Sequence, residues 1–358
     1  MGTIRVRNNG NRLRYDARTY PYPTWGAALA VTLAEVAAAC NVSTSTVSRA
    51  LTDPEKVNAE TRTRIERVAR QLGYAPSRAG RSLVSGRTDT VGLVVPDIAN
   101  PFFPPIIKSV QARARDKRYA VLIADTDEHV ADELELARGL SRQVDGLILA
   151  SPRTAPAELT RLAQQLPVVF VNREVEGAGS VVIDENEGLQ EAVEHLVSLG
   201  HRRITYLSGP RRSWSNQQRR DALAAACTAN DVELRELGPF EPQIQAGMRA
   251  ADLLQSSEVA AAIAYDDLIA LGVMSRLTER GMQVGHEISV IGIDDSPLST
   301  VTHPMLTSIH VPAAELGSAA VDLLLDQLRD PDLPPQTVKL ETRLVIRGST
   351  GVAPTSFK

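Results

Sequence analysis

The chain has 358 residues, 43% of them hydrophobic, and a formal net charge of -4. Two cysteines, Cys40 and Cys227, are too few for a disulfide framework or a cysteine-based metal site. No apolar run reaches the roughly 18 residues of a membrane span and the N-terminus lacks the apolar block of a secretory signal, so we expect a cytoplasmic protein of about two to three domains.

Charge is distributed unevenly along the chain. Residues 1–90 carry 14 Lys and Arg against 7 Asp and Glu, whereas the remainder carries 25 against 36. Basic surfaces attract the phosphates of nucleic acids, so the N-terminal part is the part expected to face a polyanion. A solvated basic tail is the alternative for Arg5 to Arg18. Residues 1–30 show no helical or strand period, and we expect this extension to be disordered.

Residues 32–51 have the pattern of two short helices joined by a tight turn. Thr32 and Glu35 form a capping box at the start of the first helix. Asn41 tolerates a positive φ angle and is expected to end that helix, and Ser43 is the N-cap of the second helix. This spacing predicts a helix-turn-helix.

The second helix, Thr44 to Leu51, buries Val47 and leaves small hydroxyl groups and one long cation on its outer face. Hydroxyls can read base edges in a major groove, and arginine can bind guanine with two hydrogen bonds. The candidate DNA-binding residues on this face are Thr44, Ser45, Ser48 and Arg49. The alternative is an ordinary helical hairpin with a solvated polar face.

Asn58 is expected to cap a third helix that ends at Gly73, so that residues 31–76 form a small all-α headpiece. Residues 77–89 follow as a polar, arginine-rich hinge with one conspicuous apolar residue, Leu83. Gly80 makes this hinge still less stable as a helix, and we expect it to become ordered only against DNA or a partner chain.

From Thr90 onward, apolar runs of strand length alternate with amphipathic helices, which is typical of parallel sheets covered by helices on both faces. Helices are expected near 104–117, 131–143 and 155–165. A second run of strands starts with the sequence SVVID at 180–184. Residues 90–358 are therefore expected to form two doubly wound α/β lobes, with a ligand crevice at the carboxyl ends of the strands.

These features occur in the order found in the lactose/galactose (LacI/GalR) family of transcriptional repressors, which the chain resembles from Val31 to about Pro354. The matching motifs include TLAEVAAACNVSTSTVSRAL, VGLVVPDIANPFF, HLVSLGHRRITYLSGP and ISVIGIDDSPLSTVTHPMLTSIHVP. The resemblance implies a helix-turn-helix headpiece joined by a hinge helix to a core of two doubly wound lobes like those of periplasmic binding proteins. It also implies a repressor that binds a pseudo-palindromic operator in double-stranded DNA as a homodimer.

Residue by residue, the resemblance places base-reading side chains at Thr44, Ser45 and Arg49. Leu83 matches the hinge leucine that enters the minor groove. In the core, it assigns effector contacts to Phe103, Arg219 and Asp294. Five positions depart from the family pattern: Asn41 replaces a glycine, Gly80 replaces an alanine, Asp266 replaces an asparagine that often touches a sugar, and Ala222 and Leu223 stand where the family normally has a glycine and an aromatic residue. Because of such changes, the identity of the effector is not carried over.

The residues themselves favour the same kind of ligand. Fixed donors and acceptors beside aromatic rings suit a sugar or sugar derivative, and no cofactor or metal is expected. The candidate effector-binding residues are Asn100, Phe103, Asn172, Arg219, Asp266 and Asp294, with Trp214 and Tyr265 as possible stacking partners. Each has a structural alternative: Asp266 as a helix cap, Arg219 in an ion pair, Trp214 in simple packing.

Two other functions remain to be compared. A periplasmic-type sugar-binding protein would share the two lobes but would have a signal sequence and no headpiece. An enzyme on a doubly wound fold would need a phosphate loop, a nucleophile elbow or a metal-ligand cluster, and the sequence has none of these. His201 is expected to be structural.

Overall fold

The computed structural model describes residues 5–8, 11–14, 31–74, 87–254 and 260–354. The chain divides into two compact units, Met1–Gly86 and Arg87–Lys358. Leu83 and Gly80, and with them most of the expected hinge, lie outside the described residues. Each unit is described separately below.

The first unit begins with two short antiparallel strands, β1 (Arg5–Asn8) and β2 (Asn11–Arg14), in which Val6 lies opposite Leu13. The expectation of disorder for this stretch was therefore wrong for these eight residues. The reason is visible in the sequence: arginines alternate with Val6 and Leu13, and Asn-Gly, a dipeptide that favours tight hairpin turns, stands between the two runs.

Three helices follow: α1 (Leu33–Cys40), α2 (Thr44–Thr52) and α3 (Ala59–Leu72), with a short 3-10 turn at Pro54–Lys56. The predicted capping box is confirmed, since Thr32 N–H donates to Glu35 Oε2 at 2.7 Å and Glu35 N–H donates to Thr32 Oγ1 at 3.3 Å. Asn41 ends α1 in the left-handed region, with φ 50°. Ser43 caps α2 by accepting from Thr46 N–H at 3.1 Å.

The core of this three-helix unit is small and contains one residue or more from every helix. Its buried members are Val36, Ala37, Cys40, Val47, Ala50, Ile65 and Ala69. Leu51 is half-buried, and Leu72 is 41% exposed. Gly73 ends α3 with φ 71°, as expected. This seven-residue core packs the three helices together and leaves Thr44, Ser45 and Arg49 of α2 exposed.

The second unit contains two six-stranded sheets. The first sheet is wholly parallel and has the order β13-β7-β6-β5-β3-β4. Its strands and the helices between them are β3 (Thr90–Val95), α4 (Phe103–Asp116), β4 (Ala120–Asp125), α5 (Val130–Ser141), β5 (Gly146–Ala150), α6 (Pro156–Ala163), β6 (Val168–Val171) and β7 (Gly179–Asp184).

The second sheet has the order β14-β12-β11-β10-β8-β9 and is parallel except for β14. It comprises, with its helices, α7 (Asn186–Ser198), β8 (Arg203–Leu207), α8 (Trp214–Ala229), β9 (Glu233–Leu237), α9 (Ile244–Leu254), β10 (Ala261–Ala264), α10 (Asp267–Glu279), β11 (Ser289–Asp294) and β12 (Thr307–His310). The chain then returns through α11 (Ala313–Arg329) to β13 (Thr337–Glu341) and ends with β14 (Arg343–Val345).

One assignment of strands to lobes differs from expectation. The SVVID strand, β7, was expected to start the second lobe, but it lies in the first sheet between β6 and β13. A run of buried apolar residues indicates a parallel strand without identifying its neighbours, so only the fold decides which sheet it joins. The chain consequently crosses between the two lobes three times, at α7, at α11 and between β13 and β14.

Candidate functional site

The exposed face of α2 is the first candidate site. Thr44, Ser45 and Arg49 are exposed and Ser48 is half-buried, whereas Val47 and Ala50 point into the core. The polar residues predicted to contact DNA therefore share the outward face of one short helix. Its first turn carries small hydroxyl groups, and its last turn carries the guanidinium of Arg49.

Only the last part of the expected hinge belongs to the described residues, and it is tied to the core. The N–H groups of Thr88 and Asp89 donate to the two carboxylate oxygens of Asp145 at 2.6 and 3.0 Å. Arg87 donates to the carbonyl oxygen of Leu328 at 3.2 Å. The core's first strand thus starts from a fixed point just after the hinge.

The second candidate site is a cleft between the two lobes of the core. Its walls come from segments at the carboxyl ends of strands in both sheets, where a doubly wound fold exposes backbone and side chains to a ligand. It brings together all six predicted effector-binding residues, Asn100, Phe103, Asn172, Arg219, Asp266 and Asp294, and adds Glu128, Ser151, Arg153, Ser213 and Tyr265.

The cleft is nearly closed, with a cavity of about 30 Å³ between these side chains. Pockets that hold small molecules usually measure roughly 300–1,000 Å³. The lobes must therefore separate, or several side chains must rearrange, before a ligand of sugar size can enter.

Arg219 is at the centre of the cleft and is fully buried. Its Nε donates to Glu185 Oε1 at 2.9 Å, its Nη1 donates to the carbonyl oxygen of Tyr265, and its Nη2 lies 3.8 Å from Asp294 Oδ1. Burial by itself lowers the pKa of Arg219, but the combined effect of Glu185, Tyr265 and Asp294 raises it by more, so the net pKa is raised. The arginine stays charged and held in one position.

Asp266 has both roles that the sequence left open, since it caps a helix and lines the cleft. Its Oδ1 accepts from Ile269 N–H at 2.8 Å at the start of α10, while its Oδ2 has no hydrogen-bond partner among the described residues. Burial raises the pKa of Asp266 to about 7. Asp267 beside it points elsewhere and accepts from Ser296 N–H at 2.7 Å and Ser308 Oγ at 2.6 Å, so its role is structural.

Asp294 ends β11 with a positive φ of 116°, a backbone conformation that turns its carboxylate toward Arg219. Burial raises the pKa of Asp294 well above its ordinary value despite the opposing effect of Arg219. The next residue, Asp295, is held by His310 Nδ1 at 3.0 Å. Of the two adjacent aspartates, Asp294 is the one that faces the cleft.

The first lobe contributes two amides and an aromatic pair. Asn172, with φ 54°, donates through Nδ2 to Ser151 Oγ at 3.1 Å, and its Oδ1 has no partner among the residues described. Asn100 Oδ1 accepts from Phe102 N–H at 3.0 Å and so shapes the loop before α4. Phe102 and Phe103 make an edge-to-face contact with centroids 5.1 Å apart. Phe103 thus reaches the cleft from the first turn of α4.

Tyr265 is also held in place, but Trp214 is not among the residues that line the cleft. The Tyr265 hydroxyl shares hydrogen bonds with Ser213 Oγ at 3.0 Å and Ser215 Oγ at 3.2 Å. The Arg219 guanidinium lies 4.8 Å from the centre of its ring. Gly209 allows this position, because a Cβ there would lie 2.4 Å from the ring.

Three charged residues were missed by the sequence analysis, of which Glu128 and Arg153 line the cleft and Glu185 contacts Arg219. Glu185 pairs with Arg219, and Glu128 pairs with Arg153 across two loops of the first lobe. Arg153 also lies 3.9 Å from Glu241 of the second lobe. Burial raises the pKa of Glu128 and that of Glu185. No spacing rule identifies such pairs, although the charged residue after the SVVID strand in the sequence offered a hint for Glu185.

A larger open groove of about 740 Å³ lies beside the start of α4 and is walled mainly by prolines and other apolar residues, including Pro101, Pro104 and Leu298. It offers few polar groups that could orient a polar ligand. We therefore place the candidate effector site in the smaller, polar cleft.

Comparison with known proteins matches both units of the chain. Residues 32–77 match the family model "Bacterial regulatory proteins, lacI family", and residues 193–350 match "Periplasmic binding protein-like domain". The HTH-type transcriptional repressor CytR of Escherichia coli (strain K12) is 32% identical over 336 residues, covering 91% of this chain and 98% of CytR. The chain belongs to the LacI family.

Solved structures of LacI-family proteins also match the chain, one over most of its length and one over about three quarters of it. The lac repressor dimer bound to operator and the anti-inducer ONPF matches with a TM-score of 0.80 and 28% identity, over 90% of this chain and 99% of that one. A LacI-family regulator from Enterococcus faecium with bound ribose matches with a TM-score of 0.66 and 27% identity, over 73% and 98%.

As a LacI-family protein, the chain is a DNA-binding transcriptional regulator and not an enzyme. The headpiece distinguishes it from a sugar-binding protein that has the two lobes alone. Within the described residues, no helix has both the length and the apolar character needed to cross a membrane. His201 is structural, as expected, because its Nε2 is 3.0 Å from both Ser289 Oγ and the carbonyl oxygen of Gly351.

Proposed function

We propose that this protein is a repressor that binds a pseudo-palindromic operator as a homodimer and is controlled by a saccharide bound between its core lobes. A single headpiece offers too few base contacts for a unique site, and a two-fold dimer matches a two-fold operator. The lac repressor structure with operator, a relative over nearly the full chain, supports this arrangement. A regulator of this kind acts on chromosomal DNA, hence in the cytoplasm.

For DNA reading, we assign base contacts to Thr44, Ser45, Ser48 and Arg49, and the minor-groove contact to Leu83. The support for the first four is their position on the outward face of α2. Affinity for the operator should fall steeply with salt, because the basic headpiece displaces counterions from the DNA.

For the effector, the observation that carries the proposal is the set of buried polar groups at the ends of the strands. Arg219, Asp266, Asp294, Asn100 and Asn172 supply fixed hydrogen-bonding groups, and Phe103 supplies an aromatic face. Hydrogen-bond donors and acceptors arranged around an aromatic side chain suit a sugar. The ribose bound to the relative from Enterococcus faecium supports a saccharide as the ligand class.

One experiment tests both parts of the proposal, operator recognition and control by a saccharide. Fragments of the source genome that bind the protein are selected and sequenced, and a panel of saccharides is then added to the complex with the best fragment. We expect a two-fold symmetric site and at least one saccharide that changes its affinity. Equal binding to all fragments would refute sequence-specific recognition. A regulated site that responds to no saccharide, but responds to a ligand of another class, would refute the effector assignment.

A further inference from the structure

The Glu185–Arg219 pair changes what the central arginine of the cleft can do. Both side chains are at most 3% exposed, and the Nε–Oε1 distance is 2.9 Å. The other two guanidinium nitrogens face the carbonyl oxygen of Tyr265 and the carboxylate of Asp294, and one face of the group lies over the Tyr265 ring. Nε is therefore occupied and the positive charge of Arg219 is offset by Glu185, so a phosphate or carboxylate finds only the remaining N–H groups of Nη1 and Nη2 and no uncompensated charge.

Two side chains that line the cleft have an oxygen that no donor reaches. Among the residues described, these oxygens are Asp266 Oδ2 and Asn172 Oδ1, and both residues are at most 4% exposed. A buried acceptor without a donor is unfavourable by about 1–3 kcal/mol. A ligand that donates hydrogen bonds would remove this cost, and a ligand that presents further acceptors would not.

The charge of the cleft points the same way. Three carboxyl groups line it, those of Glu128, Asp266 and Asp294, and the guanidinium groups of Arg153 and Arg219 are paired with Glu128 and Glu185. Burial raises the pKa of each of these four carboxyl groups, because each is removed from water. Neither guanidinium is left as an uncompensated cation, so an anionic ligand has no free positive charge to bind.

We propose that Glu185 makes the cleft selective against anions, so that the effector is a neutral or amine-bearing saccharide and not a sugar phosphate or sugar acid. The choice of saccharides as the ligand class rests on the proposed function. The selectivity itself follows from Glu185, which neutralises Arg219 and occupies its Nε. Glu185 is therefore a specificity-determining residue that acts through Arg219.

The test uses inorganic phosphate as the probe and compares four proteins by calorimetry and thermal unfolding: the wild type, Glu185→Gln, Glu187→Gln, and Glu185→Gln combined with Arg219→Met. Glu187 is the matched control, since it is exposed, lies on the same helix and loses the same charge on substitution. Glu185→Gln leaves Arg219 with an unneutralised charge.

We expect Glu185→Gln to bind phosphate at least about tenfold more tightly than the wild type, a change of roughly 1.4 kcal/mol. Glu187→Gln should behave like the wild type, and the double variant should lose the gain. Wild-type binding as tight as that of Glu185→Gln, or no gain in Glu185→Gln, would overturn the proposal. If Glu185→Gln does not fold, Glu185→Asn takes its place in the same comparison.

A second arm separates this inference from the proposed function. Glucose, ribose and galactose are tested beside their amine, phosphate and carboxylate derivatives. Tighter binding of an anionic derivative than of its parent sugar would refute the selectivity while supporting a saccharide effector. A panel in which nothing binds would count against the proposed function, and the phosphate comparison would still decide the role of Glu185.

Discussion

Asp266 accepts a hydrogen bond from Ile269 N–H at 2.8 Å with one carboxylate oxygen and lines the effector cleft with the other. The cap fixes the side chain at the start of α10, so the free oxygen has a defined position. A ligand bound to it is therefore connected directly to the end of a buried helix. Such a connection allows a small movement at the ligand to be passed to a rigid element.

The stability of the protein should depend on the ionisation of Asp266. Its pKa rises from 3.8 in a free side chain to about 7 in the folded state, so the folded state keeps a proton that the unfolded chain has lost. This contribution to stability is complete below about pH 4 and is lost as the pH rises to about 7. Asp266→Asn, which can still cap α10, should remove that part of the slope.

Urea unfolding between pH 4 and pH 8 checks this prediction. The variant should gain stability relative to the wild type as the pH rises, by on the order of 4 kcal/mol at pH 8. Asp252→Asn is the control, because this carboxylate is on the surface in ion pairs with Arg276 and Arg280. A constant difference between Asp266→Asn and the wild type across the range would contradict the assignment.

The Glu185–Arg219 pair makes single substitutions destabilising. Arg219→Leu leaves the Glu185 carboxylate buried without its partner, and we expect a loss of about 3–5 kcal/mol in the free energy of unfolding. Glu185→Leu combined with Arg219→Leu should recover much of this loss, because no charge then remains unpaired. Denaturant unfolding of the three variants measures the coupling. If the two single losses simply add in the double variant, the pair contributes no interaction of its own.

Asp294→Asn tests effector binding better than Arg219→Leu does, since it leaves the Glu185–Arg219 pair in place. We expect it to abolish the response to the effector while changing operator affinity little, because the headpiece contacts the DNA and the cleft only modulates it. Binding titrations on the selected operator with and without effector give both values. Asp330→Asn, an exposed change outside the cleft, is the control. An unchanged effector response in Asp294→Asn would remove Asp294 from the site.

Arg49→Ala should weaken operator binding by about 1–3 kcal/mol and binding to random DNA much less, if the guanidinium contacts base edges. Arg67→Ala provides the comparison, since it removes an exposed arginine of the same headpiece from α3 rather than α2. Titrations on both DNAs at fixed salt measure the difference. Equal losses on operator and random DNA for Arg49→Ala would make it a phosphate contact.

Two glycines in helices should respond to alanine in opposite directions. A Cβ on Gly272 would lie 2.0 Å from the carbonyl oxygen of Ile244, so α9 and α10 must move apart and we expect a loss of more than about 2 kcal/mol. Gly139 in α5 is exposed with nothing within 4 Å of its Cβ position, and Gly139→Ala should stabilise by about 0.5–1 kcal/mol. Thermal unfolding measures the stability of both variants. A Gly272→Ala variant as stable as the wild type would show that α9 and α10 are packed less closely than the structure indicates.

The sequence by itself determined the local structure and the family. The caps at Thr32, Ser43, Asn58 and Gly73 were predicted correctly because each depends on groups within a few residues of one another. The strands and helices of the core followed from the spacing of apolar residues, and the order of the motifs identified the LacI family. The short strands β1 and β2 were missed because two four-residue alternations give a weak signal.

Only the tertiary structure decided how distant residues combine. Glu185 and Arg219 are 34 positions apart, and they meet because β7 ends in the first sheet while α8 belongs to the second. The tertiary structure alone also brings Glu128 to Arg153 and places β7 between β6 and β13. The periodicity of apolar residues indicates which side of a helix or strand is buried. The partner of a buried charge depends instead on the packing of whole lobes, and that packing decides which ligands the cleft accepts.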